Sequence, residues 1–104
     1  MLDMAENIVL EDFVTVAERV LILTHMNVGY KTHPLQGYFP AFAKRVKVGK
    51  GSFIGANVTL LPGIVIGEES FVAAGSVVTE NVSHKVLVAG VPARVIRKIG
   101  EPSE

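Results

Sequence analysis

The sequence contains no cysteine and no tryptophan, and its acidic and basic residues are equal in number. Without cysteine there can be no disulfide framework, no thiolate zinc site and no cysteine nucleophile. Ten basic and ten acidic residues give a formal net charge of zero, which argues against a strongly basic nucleic-acid-binding protein. No apolar run approaches the ~20 residues of a membrane span, and the N-terminus does not resemble a signal peptide. We therefore expect a cytoplasmic protein with no nucleic-acid or membrane partner.

The length of 104 residues, 49% of them hydrophobic, predicts a single folded domain over residues 1–104. Such a composition is too apolar, and the net charge too low, for a disordered chain.

An aliphatic residue recurs at every sixth position in the second half of the chain. Glycine or alanine follows it in four of the six repeats, and a small or β-branched residue comes four places after it in all six. A looser copy of the same period covers residues 4–27. The aliphatic positions are Met4, Leu10, Val16 and Ile22, then Val48, Ile54, Leu60, Ile66, Val72 and Val78.

A period of six fits neither a flat strand, with a period of two, nor an α-helix, with a period of 3.6. It is typical of a parallel β-helix, in which three short strands and three corners form one triangular coil. The aliphatic residues are expected to fill the core. The small residue that follows each of them is expected to let the backbone turn the corner without a Cβ clash, and Pro62-Gly63 suits a turn. We predict an all-β fold with repeats over residues 4–27 and 48–83.

Residues 28–47 interrupt the repeat. Their number, twenty, is not a multiple of six, so the chain must leave the coil and return to it. The segment holds Tyr30, Tyr38, Phe39 and Phe42, four of the seven aromatic residues. Long loops of this kind are often functional, and this one is expected to pack on its own coil or on another subunit.

The period fades after Ser83. Residues 84–91 are expected to be extended, and Pro92–Ile99 is predicted to form a short helix. Proline at a first helical position and a glycine, Gly100, just past the end fit the usual asymmetry of helices.

Residues 46–100 resemble the hexapeptide-repeat acyltransferases of the left-handed β-helix class, in particular the galactoside and maltose O-acetyltransferases. The motifs that carry the resemblance are the hexads, the sequence AGSVVT at 74–79 and the sequence AGVPARVIRK at 89–98. The last motif is the most specific, because unrelated β-helix enzymes share the hexads.

The resemblance implies a left-handed parallel β-helix and a homotrimer with active sites between subunits. It also implies acetyl-CoA as the acyl donor, bound in a groove between adjacent β-helices, with the two arginines facing the CoA phosphates. The implied cofactor-binding residues are Ala56, Ala74, Thr79, Glu80, Arg94 and Arg97.

In this family a histidine takes the proton from the acceptor hydroxyl as that oxygen attacks the thioester. The resemblance places this base at His25, in the sequence THMN before the loop, or at His33, in KTHPLQ. In a galactoside-type alignment the base falls on Asn27, which cannot act as one, so both histidines remain candidates. His84 is expected on the surface.

The implied function is acetyl transfer from acetyl-CoA to a hydroxyl of a sugar or sugar-like small molecule. A hydroxyl-bearing antibiotic or an amino sugar is an alternative acceptor, and a non-catalytic trimeric scaffold is an alternative function. A carbonic anhydrase of the same fold would need three histidines on zinc. His25 and His33 are eight residues apart and His84 lies outside the repeat, so we expect no metal site.

Overall fold

A computed structural model describes residues 7–27, 29, 31–39 and 42–100. These residues form thirteen short strands and no helix. The predicted repeat position Met4 and the loop residue Tyr30 lie outside the described residues. The strands are β1 (Ile8–Leu10), β2 (Thr15–Val16), β3 (Leu21–Ile22), β4 (His25–Met26), β5 (Phe42–Ala43), β6 (Val46–Val48), β7 (Phe53–Ile54), β8 (Thr59–Leu60), β9 (Val65–Ile66), β10 (Phe71–Val72), β11 (Val77–Val78), β12 (Val86–Gly90) and β13 (Ala93–Lys98).

The strands stack into three sheets that form the sides of a parallel β-helix. The first sheet has the order β1-β6-β9, the second β2-β7-β10-β12-β13, and the third β3-β8-β11. All neighbours in them are parallel except β12 and β13.

Three edges connect these sheets. The serine edge joins the first sheet to the second at residues 11–14, 49–52, 67–70 and 83–85. The alanine edge joins the second to the third at residues 17–20, 55–58 and 73–76. The loop edge joins the third back to the first at residues 61–64 and 79–81, and residues 23–25 leave the coil there.

The strand register gives the length of one coil. Val48 pairs with Ile66, 18 positions later, and the same spacing separates Ile54 from Val72 and Leu60 from Val78. Across the interruption, Ile22 instead pairs with Leu60, 38 positions later. Three hexads therefore make one coil, and the interruption adds twenty residues at the loop edge.

The aliphatic residues of the second block of repeats, and Ile22 in the first, fill the core as predicted. The prediction is wrong for Leu10, which is 42% exposed on β1, and Val16 is only half-buried. From Val48 to Val78, all six are 0 or 1% exposed. The positions four residues further on are also buried, which places both on the inner wall of the coil.

The glycine after the core aliphatic residue acts differently from the prediction. The left-handed backbone that turns the corner lies two residues later, at Gly51, Asn57, Gly63, Glu69 and Gly75. At Gly55 the constraint is the neighbouring coil, because an added Cβ would lie 2.7 Å from the Ala74 backbone nitrogen. The prediction was right about the clash and wrong about the position of the turn.

Buried serines link successive coils along the serine edge. The Ser52 hydroxyl donates to the Gly67 carbonyl at 2.7 Å and accepts the Ser70 N–H at 3.1 Å. One coil further, the Ser70 hydroxyl donates to the Ser83 carbonyl at 2.6 Å and accepts the Val86 N–H at 3.3 Å. Each hydroxyl therefore bonds to one backbone donor and one backbone acceptor of the next coil.

The predicted helix at Pro92–Ile99 is wrong. This segment contains β13, which runs antiparallel to β12, with a bulge between Leu87 and Val88. Val95 and Ile96 suit a strand better than a helix, and pairing covers an otherwise open edge of β12. Pro92 lies in the turn between the two strands, after a cis Val91–Pro92 bond.

The interruption leaves and rejoins the loop edge through a short antiparallel pair. In it, His25 on β4 lies opposite Ala43 on β5. The aromatic side chains after it are exposed, with Tyr38 at 79% and Phe39 at 52%. These two rings are therefore not buried against their own coil.

Candidate functional site

The three histidines lie in different environments. His25 is exposed on β4, at the point where the chain leaves the loop edge. The Lys44 N–H donates to the Thr24 carbonyl at 2.7 Å, which holds the two ends of the interruption together beside it. His33 lies within a turn, where its Nδ1 accepts the Leu35 N–H at 3.0 Å.

His84 lies on the serine edge and is exposed, as predicted. Its Nδ1 accepts the Glu68 N–H at 2.9 Å. The side chain thus ties the last corner of this edge to the corner below it, and it belongs to a different edge from His25.

Ala56 and Ala74 occupy equivalent corners in successive coils of the alanine edge. The Gly75 N–H donates to the Ala56 carbonyl at 2.9 Å, which joins the two corners. Ala56 is half-buried and Ala74 is exposed. Because both side chains are single methyl groups, a ligand can approach the backbone of this edge closely.

The last corner of the loop edge is shorter than the corner below it. Ile66 bridges to Val82, 16 positions later, so this turn of the coil has lost two residues. Asn81 compensates, since its side-chain oxygen accepts the Val65 N–H at 2.9 Å and the next residue donates to the Val65 carbonyl at 3.0 Å. Thr79 and Glu80 are exposed at the tip of this tightened corner.

Arg94 reaches over the end of the coil toward this corner. Its Nη1 lies 3.9 Å from the Glu80 Oε1 and donates to the Ala93 carbonyl at 3.1 Å. The two charged side chains border a pocket of about 140 Å³ whose apolar lining includes Val78, Val82 and Val88. The structure therefore brings Glu80 and Arg94 together, and Thr79 is the exposed neighbour of Glu80 in the chain.

Arg97 lies elsewhere. It pairs with Leu87 across the hairpin and borders a groove of about 270 Å³ with Phe71 and Ile99 on the second sheet. The β-bulge inserts a residue between Arg94 and Arg97 relative to β12, and the two arginines line different cavities. Within one chain, they do not form a common anion site.

Two features were missed from the sequence. Asn81 falls inside the predicted repeats at 48–83 and was not singled out, because its role depends on the two-residue shortening of the coil. Phe53 and Phe71, whose rings stack at a centroid distance of 4.6 Å on the second sheet, lie one coil apart. Their separation of 18 residues was a signal that could have identified the pair.

In the described ranges, no three histidine, cysteine, aspartate or glutamate side chains cluster closely enough to hold a metal ion. The same ranges contain no helix that is long and apolar enough to cross a membrane.

Comparisons with known proteins identify the repeat. A family model described as "Bacterial transferase hexapeptide (six repeats)" matches residues 45–80. The galactoside O-acetyltransferase of Escherichia coli (strain K12) is 34% identical over 98 residues, which cover 89% of this chain and 48% of the relative.

Solved structures agree with this family. A galactoside acetyltransferase in complex with coenzyme A superposes with a TM-score of 0.82 and 30% identity, over 95% of this chain and 48% of the other. A maltose O-acetyltransferase from Clostridium difficile 630 superposes with a TM-score of 0.78 and 35% identity, over 90% and 49% of the two chains. The chain thus spans about half the length of each of these proteins.

The protein belongs to the hexapeptide-repeat acyltransferase family, and its coils form the left-handed parallel β-helix of that family. Within the family it is similar to the galactoside and maltose O-acetyltransferases.

Proposed function

We propose that this chain carries the donor site of an acetyl-CoA-dependent O-acetyltransferase that acts on a hydroxyl of a sugar or sugar-like small molecule. The observation that carries the proposal is the superposition of 95% of the chain on a relative that holds coenzyme A. The curated relative of known activity that it resembles is also an O-acetyltransferase.

The surface of the chain fits such a donor. Ala56 and Ala74 leave the backbone of the alanine edge accessible, and Thr79 offers an exposed hydroxyl on the other side of β11. Arg94 places a guanidinium group beside Glu80 at the same corner, where it suits a phosphate because charge-assisted hydrogen bonds to phosphate are strong. The donor supplies a thioester carbonyl, and the groups of this chain bind and orient it.

We assign the general base to His25 in preference to His33. A ring nitrogen that accepts a backbone N–H must carry its lone pair there, so the neutral ring holds its proton on the other nitrogen. The His33 Nδ1 accepts the Leu35 N–H, so a neutral His33 would have to give up this bond in order to take a proton. His25 is exposed at the loop edge, on the same edge as Thr79 and two coils away, about 10 Å along the axis.

In the proposed reaction the acceptor hydroxyl oxygen bonds to the thioester carbonyl carbon, and the carbon–sulfur bond breaks. The imidazole of His25 takes the hydroxyl proton as the oxygen attacks, and that proton then goes to the leaving CoA thiolate. The products are an acetyl ester and CoA, so neither a covalent enzyme intermediate nor a metal is needed.

We further propose that the complete site forms between chains of a homotrimer. Two edges border opposite sides of the third sheet: the alanine edge, with Ala56 and Ala74, and the loop edge, with His25. In a trimer, the alanine edge of one chain can therefore lie against the loop edge of its neighbour. The exposed rings of Tyr38 and Phe39 lie on the loop, where a second subunit would cover them. Sedimentation velocity tests this, and a stable 11 kDa monomer would contradict it.

The donor proposal is tested by calorimetric titration with acetyl-CoA. We expect saturable binding near one molecule per chain, weakened at least ten-fold by Arg94→Ala. Lys85→Gln is the matched control, because Lys85 is an exposed cation paired with Glu69 at 3.7 Å on the serine edge. No binding at millimolar acetyl-CoA would leave the scaffold function as the better explanation.

Acyl transfer is tested with a thiol reagent that reports released CoA, since the chain has no cysteine of its own. The acceptor panel contains mono- and disaccharides, an amino sugar and a hydroxyl-bearing antibiotic. Binding of acetyl-CoA without release above background for any acceptor would contradict the transferase proposal and leave the donor site intact.

A further inference from the structure

Arg94 is the cation that the structure places at the tightened corner, and it already faces a negative charge. The Glu80 carboxylate lies 3.9 Å from its guanidinium group, and both side chains are largely exposed, at 80% for Glu80 and 63% for Arg94. Glu80 projects from the tightened corner next to Thr79, and it borders the same pocket as Arg94.

The position of Glu80 is fixed by backbone geometry. The corner has lost two residues relative to the coil below, and the Asn81 side chain and the Val82 N–H both bond to Val65. The residue before Asn81 is therefore held at this place on the edge. A phosphate that reached Arg94 would have to approach a carboxylate, and like charges at this range repel.

We infer that Glu80 competes with the donor for Arg94 and so weakens the binding of coenzyme A. The inference rests on the proposed donor site and changes the role that resemblance implies for Glu80, from a contact that helps binding to a counter-ion that opposes it. A pair as exposed and as long as this one is weak, so a phosphate can displace the carboxylate. The pair therefore lowers affinity without blocking the site, and it favours release of the CoA product.

The test compares three proteins by calorimetry at low ionic strength: the unaltered chain, Glu80→Gln and Glu69→Gln. Glu69 is the matched control, since it forms a similar exposed ion pair, with Lys85 at 3.7 Å, on the serine edge. The ligands are CoA and pantetheine, which lacks the phosphates. Glutamine keeps the size of glutamate and removes the negative charge, and it replaces one carboxylate oxygen by an amide donor.

We expect Glu80→Gln to tighten CoA binding about two- to five-fold, which is the upper part of the range for removal of a weak surface charge interaction. Pantetheine affinity and the Glu69→Gln protein should remain unchanged. The gain in CoA affinity should shrink by at least half when the salt concentration is raised from about 0.01 M to about 0.15 M. At the higher concentration the Debye length falls to about 8 Å, which weakens the repulsion between the carboxylate and the phosphate.

Each other outcome overturns the inference in an identifiable way. If Glu80→Gln binds CoA no better than the unaltered chain, the carboxylate does not compete. If it binds CoA more weakly, Glu80 is a direct ligand of the donor. An equal gain for pantetheine would show that the phosphates are not involved. If neither the unaltered chain nor Glu80→Gln binds CoA, the proposed donor site itself fails.

Discussion

The coils between Val48 and Val78 and the last corner at residues 79–81 are built from the same repeat but differ in almost every local feature. In the coils, strands pair 18 positions apart, and the core aliphatic residues are closed to solvent. At the last corner the spacing drops to 16, and polar side chains replace backbone contacts. The second departure from the regular repeat is the interruption at the same edge, where paired strands are 38 positions apart.

Four of the candidate groups lie where the repeat is broken, whereas Ala56 and Ala74 lie on the alanine edge of the regular coils. His25 lies where the interruption begins, Thr79 and Glu80 lie on the shortened corner, and Arg94 reaches Glu80 there. A strict repeat gives every coil the same surface, so a unique site requires a departure from it. The coils supply the frame and the accessible backbone of the alanine edge, and the departures supply the charged and titratable groups.

The largest effect on activity is expected at the interruption, where His25 lies. His25→Gln should lower the turnover number for acetyl transfer by about 10²- to 10⁴-fold, the usual contribution of a general base. The dissociation constant of acetyl-CoA should stay unchanged, because the ring acts on the acceptor. The measurement is steady-state release of CoA together with calorimetry.

His33→Gln is the control for this prediction. It loses the contact with the Leu35 N–H and should reduce turnover less than ten-fold. If His33→Gln abolishes transfer while His25→Gln does not, the assignment of the base is reversed.

The next effect concerns the regular coils. Leu60 is fully buried in the third sheet, so Leu60→Ala should lower the free energy of unfolding by about 2–5 kcal/mol through lost burial and a cavity. Val65→Ala, at a position 41% exposed in the next strand, should cost less than about 1 kcal/mol. Denaturant unfolding at a fixed protein concentration measures both, and equal losses would mean that the repeat does not define the core.

A smaller loss is expected from the buried serines. Ser70→Ala leaves the Ser83 carbonyl and the Val86 N–H without their hydroxyl partner, which should cost about 1–3 kcal/mol of unfolding free energy. Ser70→Thr keeps the hydroxyl and tests whether the hydrogen bonds, rather than the size of the side chain, are responsible. A neutral Ser70→Ala would contradict the role given to the serine edge.

The repeat made the fold predictable, because the six-residue period fixes which residues face the core. The C-terminal hairpin was not predictable from the same pattern, because Pro92 and Gly100 fit the two ends of a helix. Residues 93–98 form a strand because they pair with β12, and the repeat does not reveal that pairing. The separation of Arg94 from Arg97 depends on a bulge that leaves no mark in the sequence. The tightening at Asn81 is likewise set by the register between coils, which a period of six does not reveal.

The smallest expected effects on stability come from two side chains near the end of the coil, one on the shortened corner and one on the serine edge. Asn81→Ala and His84→Ala each remove a side chain that accepts a backbone N–H near the end of the coil, from Val65 at 2.9 Å and from Glu68 at 2.9 Å. Both bonds are exposed, so water can replace the acceptor, and each loss should be about 0.5–1.5 kcal/mol of unfolding free energy.

Binding should separate the same two variants. Asn81 holds the corner that carries Thr79 and Glu80, whereas His84 lies on the serine edge, so only Asn81→Ala should change the affinity for acetyl-CoA, by at least three-fold in calorimetry. Asn81→Asp keeps an acceptor oxygen for the Val65 N–H and should retain the stability. If both alanine variants change the affinity for acetyl-CoA equally, the shortened corner has no special part in the donor site. The proposed difference in function between the shortened corner and the serine edge would then be wrong.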